Sequence, residues 1–277
     1  MTHPVGIMQG RLLPPFEGRF QTFPAAGWRQ EFHNAKAAGL ASIEWIYEVP
    51  HEADNPLGSA EGLAEMRALM AETGVMIRSI CADYYMQSRL VVDGQPQRAM
   101  VDHLKWLLGQ AKALDLWYII LPFVDASSLR NDADRAALKT ILAEVLPLAR
   151  QLGVELHLET DLPPKAFRQL LEEVGDDFLK ANYDIGNSAS LGFDPEEELT
   201  LLGPFLGSVH VKDRVLKGST VPLGTGNADF PTCFRLIKAA GYSRPFILQA
   251  ARGVEGDEVT WAGHNREFVK RQLAALA

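Results

Sequence analysis

Short apolar runs and longer amphipathic stretches alternate along this chain from end to end, and that alternation limits the folds open to it. The runs are VGIMQG, ASIEWIY, VMIRSICA, WYIILPFV, VELHLET, LKANYDIG, LGSVHVKD and PFILQAA. Each is short, mostly rich in β-branched or aromatic residues, and bounded by turn or helix signals, as a strand buried on both faces requires. Between them, segments 28–39, 59–73, 97–115, 132–152, 163–174, 195–203, 230–240 and 262–275 read as helices. QRAMVDHLKWLLGQAKAL, for example, spaces its apolar residues three and four apart, the pattern of a helix with one buried face. Ser59 is placed as an N-cap, Asp194 precedes Pro195 at a first turn, and Gly39, Gly74, Gly153 and Gly241 sit where helices stop.

Eight strand–helix pairs predict a single (β/α)8 barrel of parallel strands over residues 1–277, close to the ~250 residues typical of that fold. An open doubly wound sheet would want a Gly-rich loop after the first strand, and MQGRLLPP lacks that fingerprint. With 27 basic against 35 acidic residues and a net charge of −8, the chain is a poor fit to nucleic acid, whose phosphates are held mainly by basic groups. No stretch has the basic-then-apolar pattern of a signal peptide or the length of a membrane span, so the expectation is a soluble, cytoplasmic protein without a membrane partner. Cys81 and Cys233 lie far apart without metal-ligand spacing and read as small buried groups in a reducing compartment.

In a parallel barrel the chemistry gathers at the C-terminal ends of the strands. Here four consecutive strands end on groups able to bind a metal: Glu159, Asp184, His210 and Gln249. Each has an ordinary reading by itself: Asp184 as a loop cap, His210 as a hydrogen-bonded core histidine, Glu159 paired with Lys212, Gln249 as a strand end. Four converging groups whose desolvation would otherwise be costly favour a divalent cation at their centre. On the fifth strand Glu155, His157 and Glu159 share the inward face, which places His157 one layer below Glu159, either orienting it or satisfied elsewhere in the barrel. Glu44 points toward the substrate or pairs with Arg78, and Asp161 caps a loop. Lys212 shares a face with His210 and could reach a substrate oxygen or anion, while Asp213 braces its loop. Arg214 and Lys217 are candidate phosphate contacts or a solvated basic turn. The GTGN segment either offers N–H groups to a phosphate or simply turns. Arg11 and Arg252 flank the barrel closure and could hold an anionic substrate end, with a surface salt bridge the alternative for Arg252.

The set Glu159, Asp184, His210 and a polar residue on the eighth strand, with HVKDR, PLGTGNADF and an opening GIMQGRL, resembles the xylose-isomerase-like barrel superfamily, and within it the sugar and sugar-phosphate isomerases and epimerases. The resemblance implies one divalent ion, Mn²⁺ foremost and otherwise Co²⁺, Mg²⁺ or Zn²⁺. It also implies a small polyhydroxy carbonyl or sugar-phosphate substrate and proton transfer beside the carbonyl. In the epimerases, the residues matching Glu159 and Gln249 are both glutamates that bind the metal and move protons on opposite faces of an enediolate. Gln249 can lend a carbonyl oxygen but cannot take a proton near neutral pH. The expectation is therefore a metal-dependent isomerase or epimerase with Glu159 as base and Gln249 as a ligand without basicity. Either one base serves, or another acid replaces the lost one, or the barrel binds sugar without fast turnover. A dehydratase or lyase acting on a keto-polyol is the alternative enzyme. An apurinic endonuclease, whose chemistry resembles a three-zinc cluster, is disfavoured by Asn187 in place of a histidine and by strand ends ICAD and LPFV. Assembly as a homo-oligomer is compatible with the sequence.

Overall fold

The computed structural model describes residues 3–276. Its central sheet is a closed barrel of eight parallel strands: β1 (Val5–Met8), β2 (Ser42–Ile46), β3 (Met76–Cys81), β4 (Tyr118–Phe123), β5 (Glu155–Thr160), β6 (Leu179–Asp184), β7 (Leu206–Val211) and β8 (Phe246–Leu248). Each strand pairs with its neighbours in chain order, and β8 closes on β1 through Val5↔Phe246 and Ile7↔Leu248.

The expected helices surround the barrel: α1 (Trp28–Ala37), α2 (Ala60–Thr73), α3 (Arg98–Ala113), α4 (Asp132–Leu152), α5 (Pro164–Val174), α6 (Pro195–Leu202), α7 (Phe230–Ala239) and α8 (Glu258–Ala274). Their ends follow the local chemistry. Ser59 accepts from Gly62 N at 3.0 Å, Asp194 accepts from Glu196 N at 3.0 Å, and Gly74 and Gly153 close their helices in the left-handed conformation. Helix α8 starts one turn before the expected 262, where Trp261 is anchored by its indole N–H to Ala251 O at 2.7 Å. A hairpin absent from the sequence reading pairs Val91–Val92 with Gln95–Pro96. Its signal was Asp93-Gly94, both at positive φ, the usual chemistry of a two-residue hairpin turn.

Strand side chains alternate between two environments. Outward residues such as Ile43 and Trp45 pack against the helix layer, Trp45 meeting Trp28 of α1 at 5.5 Å between ring centroids. Inward residues are polar: Glu44, His157, Asn182, Ser208 and His210 are all buried.

Two register shifts decide which of these meet. Between β6 and β7 the register passes from Ala181↔Leu206 to Asn182↔Ser208, skipping Gly207, so Asp184 lies level with His210. Without the skip Asp184 would face Val209, because a one-residue slip exchanges the two faces of a strand. Gly207 is required there, since a Cβ would come within 2.6 Å of His157 Cε1. The second shift, between β2 and β3, skips Arg78 and sets Glu44 opposite Ser79.

Candidate metal centre

One nitrogen of His210 and one oxygen each from Glu159 and Asp184 lie within 4.8 Å of one another, all three residues being buried. His210 Nδ1 is 3.6 Å from Glu159 Oε2 and 3.8 Å from Asp184 Oδ2. On the other side of the ring, Nε2 is 2.6 Å from Glu44 Oε1. With the Glu44 carboxylate accepting from Nε2–H, Nδ1 is the nitrogen turned to the other two residues, an arrangement that orients histidine ligands and makes them more basic. Asn182 Nδ2 donates to Glu159 Oε2 at 3.1 Å, and Asn187 Nδ2 donates to Glu159 Oε1 at 2.7 Å. Asp184 Oδ1 accepts the Asn187 backbone N–H at 2.8 Å as the N-cap of the short helix Ile185–Leu191. Among the described residues its other oxygen, Oδ2, is buried with no hydrogen-bond partner. A buried carboxylate oxygen left in this state is costly, and it faces the point where the histidine nitrogen and the second carboxylate converge. The donor set therefore fits a divalent cation.

The charges match. Burial raises the Glu159 carboxyl to about 7, helped by Asp184 and opposed by His210 and Lys212. Burial would also raise Asp184, but Lys212 and His210 draw it below the usual aspartate range. Burial would lower His210, but Glu44, Asp184 and Glu159 outweigh it and raise the imidazole to about 10.

Gln249, one residue beyond β8, directs Oε1 to Lys212 Nζ at 3.2 Å, and that ammonium stands 3.6 Å from Asp184 Oδ2. The amide oxygen thus borders the same space, and Lys212 stands beside Asp184 rather than in the ordinary alternative, a pair with Glu159. Glu159, Lys212 and Gln249 open onto a cavity of about 710 Å³ whose wall also includes Arg214, Lys217 and Asp83, with Asp184 and His210 behind it. A larger open groove of about 1170 Å³ lies on the flank near α1 and α2, away from the buried cluster.

Several expectations need correction. Glu44 does not reach the cavity or pair with Arg78. It is fully buried under His210 and also accepts from Ser79 Oγ at 2.7 Å, because the β2–β3 register shift carries Arg78 past it. Arg78 instead lies over the Trp117 ring at 4.8 Å. Arg11 and Arg252 do not line the cavity. Arg252 donates to Phe20 O and Leu13 O at 3.0 and 2.9 Å, and Arg11 donates to Phe20 O and to Gln21 Oε1, so both pin the loop after β1. Arg214 lines the cavity, but its donors go to Asn187 Oδ1 at 3.0 Å and to Gly218 O, which makes it a support for the asparagine that holds Glu159. His157 does not touch Glu159. It meets Ser208 Oγ at 2.8 Å, Ser208 donates to Asn182 Oδ1 at 2.7 Å, and Asn182 carries the contact onward. The GTGN amides are not free for phosphate, since Gly224 N and Gly226 N both donate to Asp213 Oδ2 at 2.8 Å. Asp213 braces its loop as expected.

The sequence reading passed over Asn182, Gln21 and Asp83. Asn182 shares the inward parity of Asp184, and Asp83 ends the ICAD run. Gln21 lies in a loop whose path no periodicity reveals.

The model of the family described as xylose isomerase-like TIM barrel matches residues 32–272. The L-ribulose-5-phosphate 3-epimerase UlaE of Salmonella paratyphi A is 26% identical over 267 residues, covering 89% of this chain and 90% of that one. Among solved structures, a xylose isomerase domain protein from Planctomyces limnophilus superposes with a TM-score of 0.75 at 18% identity, over 100% of this chain and 98% of that one. A xylose isomerase-like TIM barrel protein from Mycobacterium smegmatis, in complex with magnesium, gives 0.74 at 21% identity, over 100% and 98%. With the barrel closed, the strand-end cluster in place and the family's model matched over most of its length, this chain belongs to the xylose isomerase-like TIM barrel family.

Proposed function

We propose that the protein is a divalent-metal-dependent isomerase or epimerase of a ketose or ketose phosphate, with Glu159 as the base that removes a proton beside the carbonyl. The observation that carries this reading is the buried convergence of Glu159, Asp184 and His210, with Asp184 Oδ2 buried there and, among the described residues, without a hydrogen-bond partner. Those three, with the Gln249 amide oxygen, would hold the ion, which when bound polarises a carbonyl and steadies negative charge on its oxygen. Oxygen and imidazole donors suit Mn²⁺, Co²⁺, Mg²⁺ or Zn²⁺; the Mycobacterium smegmatis relative was solved with magnesium.

The rest is done by the chain itself. Asn182 and Asn187 hold one oxygen each of Glu159, fixing the carboxylate at the cavity wall. Burial raises its carboxyl to about 7 in the metal-free site, and a bound cation would draw it down toward the carboxylate form a base needs. Lys212 and Lys217 give the cavity a cationic flank for a sugar hydroxyl or a terminal phosphate, and its volume accommodates a pentose phosphate. The relative named as an L-ribulose-5-phosphate 3-epimerase supports that substrate class.

The test is deuterium wash-in from D₂O with a panel of ketopentose 5-phosphates and ketohexoses, L-ribulose 5-phosphate among them. Chelator dialysis should abolish exchange, Mn²⁺ or Mg²⁺ should restore it, and Glu159→Gln should lower it by about 10²-fold or more while still binding metal. Exchange that persists without metal, or in Glu159→Gln, overturns the reading.

A further inference from the structure

Inverting a carbon beside a carbonyl requires a proton taken from one face and another delivered to the opposite face. Strands β6 and β7, which bear Asp184 and His210, lie between β5 and β8. A ketose seated over them is flanked by Glu159 on one side and by the tip of β8 on the other. That tip carries an amide, Gln249, which neither gives nor takes a proton near neutral pH.

Hydrogen bonds from the β8 tip nevertheless lead across the mouth of the barrel to a carboxyl group just past β3. Gln249 Nε2 donates to Gln21 Oε1 at 3.0 Å, and Gln21 Nε2 donates to Asp83 Oδ2 at 2.8 Å. Each amide oxygen of this chain meets a cation that can only donate: Lys212 on Gln249 Oε1 at 3.2 Å and Arg11 on Gln21 Oε1 at 3.0 Å. They dictate which way each amide faces. A carboxylate at 249 would oppose Gln21 Oε1, acceptor against acceptor, so the amide there is what lets Gln21 hold Asp83. Asp83 lies two residues past β3 on the wall of the same cavity as Glu159, with Cys81 Sγ at 3.3 Å from its Oδ1. Burial raises its carboxyl above the usual aspartate range, Glu48 adding to the effect while Gln21, Cys81 and His210 oppose it, and its charge is felt at Glu159.

We propose that Asp83 is the second acid–base group of the site, serving the substrate face opposite Glu159, so that the enzyme inverts a carbon beside the carbonyl although Gln249 is inert. This rests on the function proposed above. The Glu159 carboxylate takes the proton from carbon, and the C–H electron pair passes into the enediolate. The Asp83 carboxylic acid then delivers its proton to the other face, forming the new C–H bond and leaving Asp83 ionised and Glu159 protonated. Exchange with solvent resets both, and turnover from the other epimer runs with the roles exchanged.

The experiment uses the Mn²⁺-loaded full chain in D₂O with both C3 epimers of each ketose in the same panel, for the wild type, Asp83→Asn and Asp83→Glu. The expected wild type places deuterium at C3 of both epimers. Asp83→Asn is expected to keep C3 exchange with one epimer only and to lose about 10²-fold or more in epimer formation. It should bind as much metal as the wild type by elemental analysis, and Asp83→Glu should recover part of the loss. A merely structural role would lower both exchanges together, and that outcome, or epimer formation in Asp83→Asn within about threefold of wild type, overturns the proposal. Wild-type exchange confined to C1 and C2 overturns it while leaving the parent function standing. No wild-type exchange at any carbon removes both.

Discussion

Gln249 differs from a glutamate by a single heavy atom, and its contacts depend on that atom. Its amide donates to Gln21 Oε1, which Arg11 has already fixed as an acceptor, and its oxygen faces Lys212. Gln249→Glu places an extra negative charge beside Asp184 and sets two acceptors against each other. Metal affinity is expected to rise about tenfold from the added charge, while the metal-free protein loses about 1–3 kcal/mol for the unmet contact. Calorimetric metal titration and urea unfolding with chelator present measure the two parts, and unchanged values in both would show that residue 249 neither borders the ion nor seats Gln21. The amide itself could be read from the sequence as a departure from a second carboxylate. Its partner could not, because Gln21 reaches Gln249 across 228 residues, through a loop fixed by arginines that read as substrate contacts.

Among the elements, strand order and helix positions were legible because apolar period and turn chemistry are local properties. The register shifts were not. Parity within one strand correctly turned Glu159 and His157 inward, yet whether Glu44 meets Arg78 or Ser79 depends on a skipped residue in the neighbouring strand. The same limit hid the link from His157 to Glu159, which exists only because Gly207 is skipped and Ser208 comes level with Asn182. The loop after β7 shows the opposite case, a long connection fixed by one side chain. Asp213 is fully buried and accepts from Gly224 N, Gly226 N and Ala228 N at 2.8, 2.8 and 3.1 Å. Asp213→Ala leaves those amides without their acceptor and is expected to cost about 3 kcal/mol in urea unfolding, since hydrogen bonds to a charged group are worth roughly 1.5–3 kcal/mol each and water recovers part of the loss. Because this loop carries Arg214, which braces Asn187 against Glu159, turnover should fall as well. A variant with wild-type stability would show that the loop is held by other contacts.

For the molecule as a whole, buried carboxyls outside the candidate metal centre set how stability varies with pH. Burial raises Glu31, which accepts backbone N–H from Gly10 at 2.7 Å, and Glu198, which accepts from Ser188 Oγ and Tyr183 OH at 2.9 and 3.1 Å, each to about 7. His157 acts oppositely, since burial lowers it to about 4, so it resists protonation as pH falls through the ordinary histidine range. A carboxyl raised in the folded state holds its proton more tightly than the unfolded chain does. Its contribution is therefore fully present below pH 4.5 and is lost as pH rises through 7. Raising the Glu198 carboxyl from 4.5 to about 7 corresponds to about 3 kcal/mol. Glu198→Gln removes the ionisation and keeps a polar group that both hydroxyls can meet by rotating. It should therefore raise the melting temperature at pH 8 by about 6–12 °C, at roughly 2–4 °C per kcal/mol for a chain of this size, and change it little at pH 4.5. Thermal unfolding in chelator at both pH values separates this from metal binding. Equal shifts at the two pH values would mean that packing against Tyr183, and not the buried charge, governs that corner of the barrel.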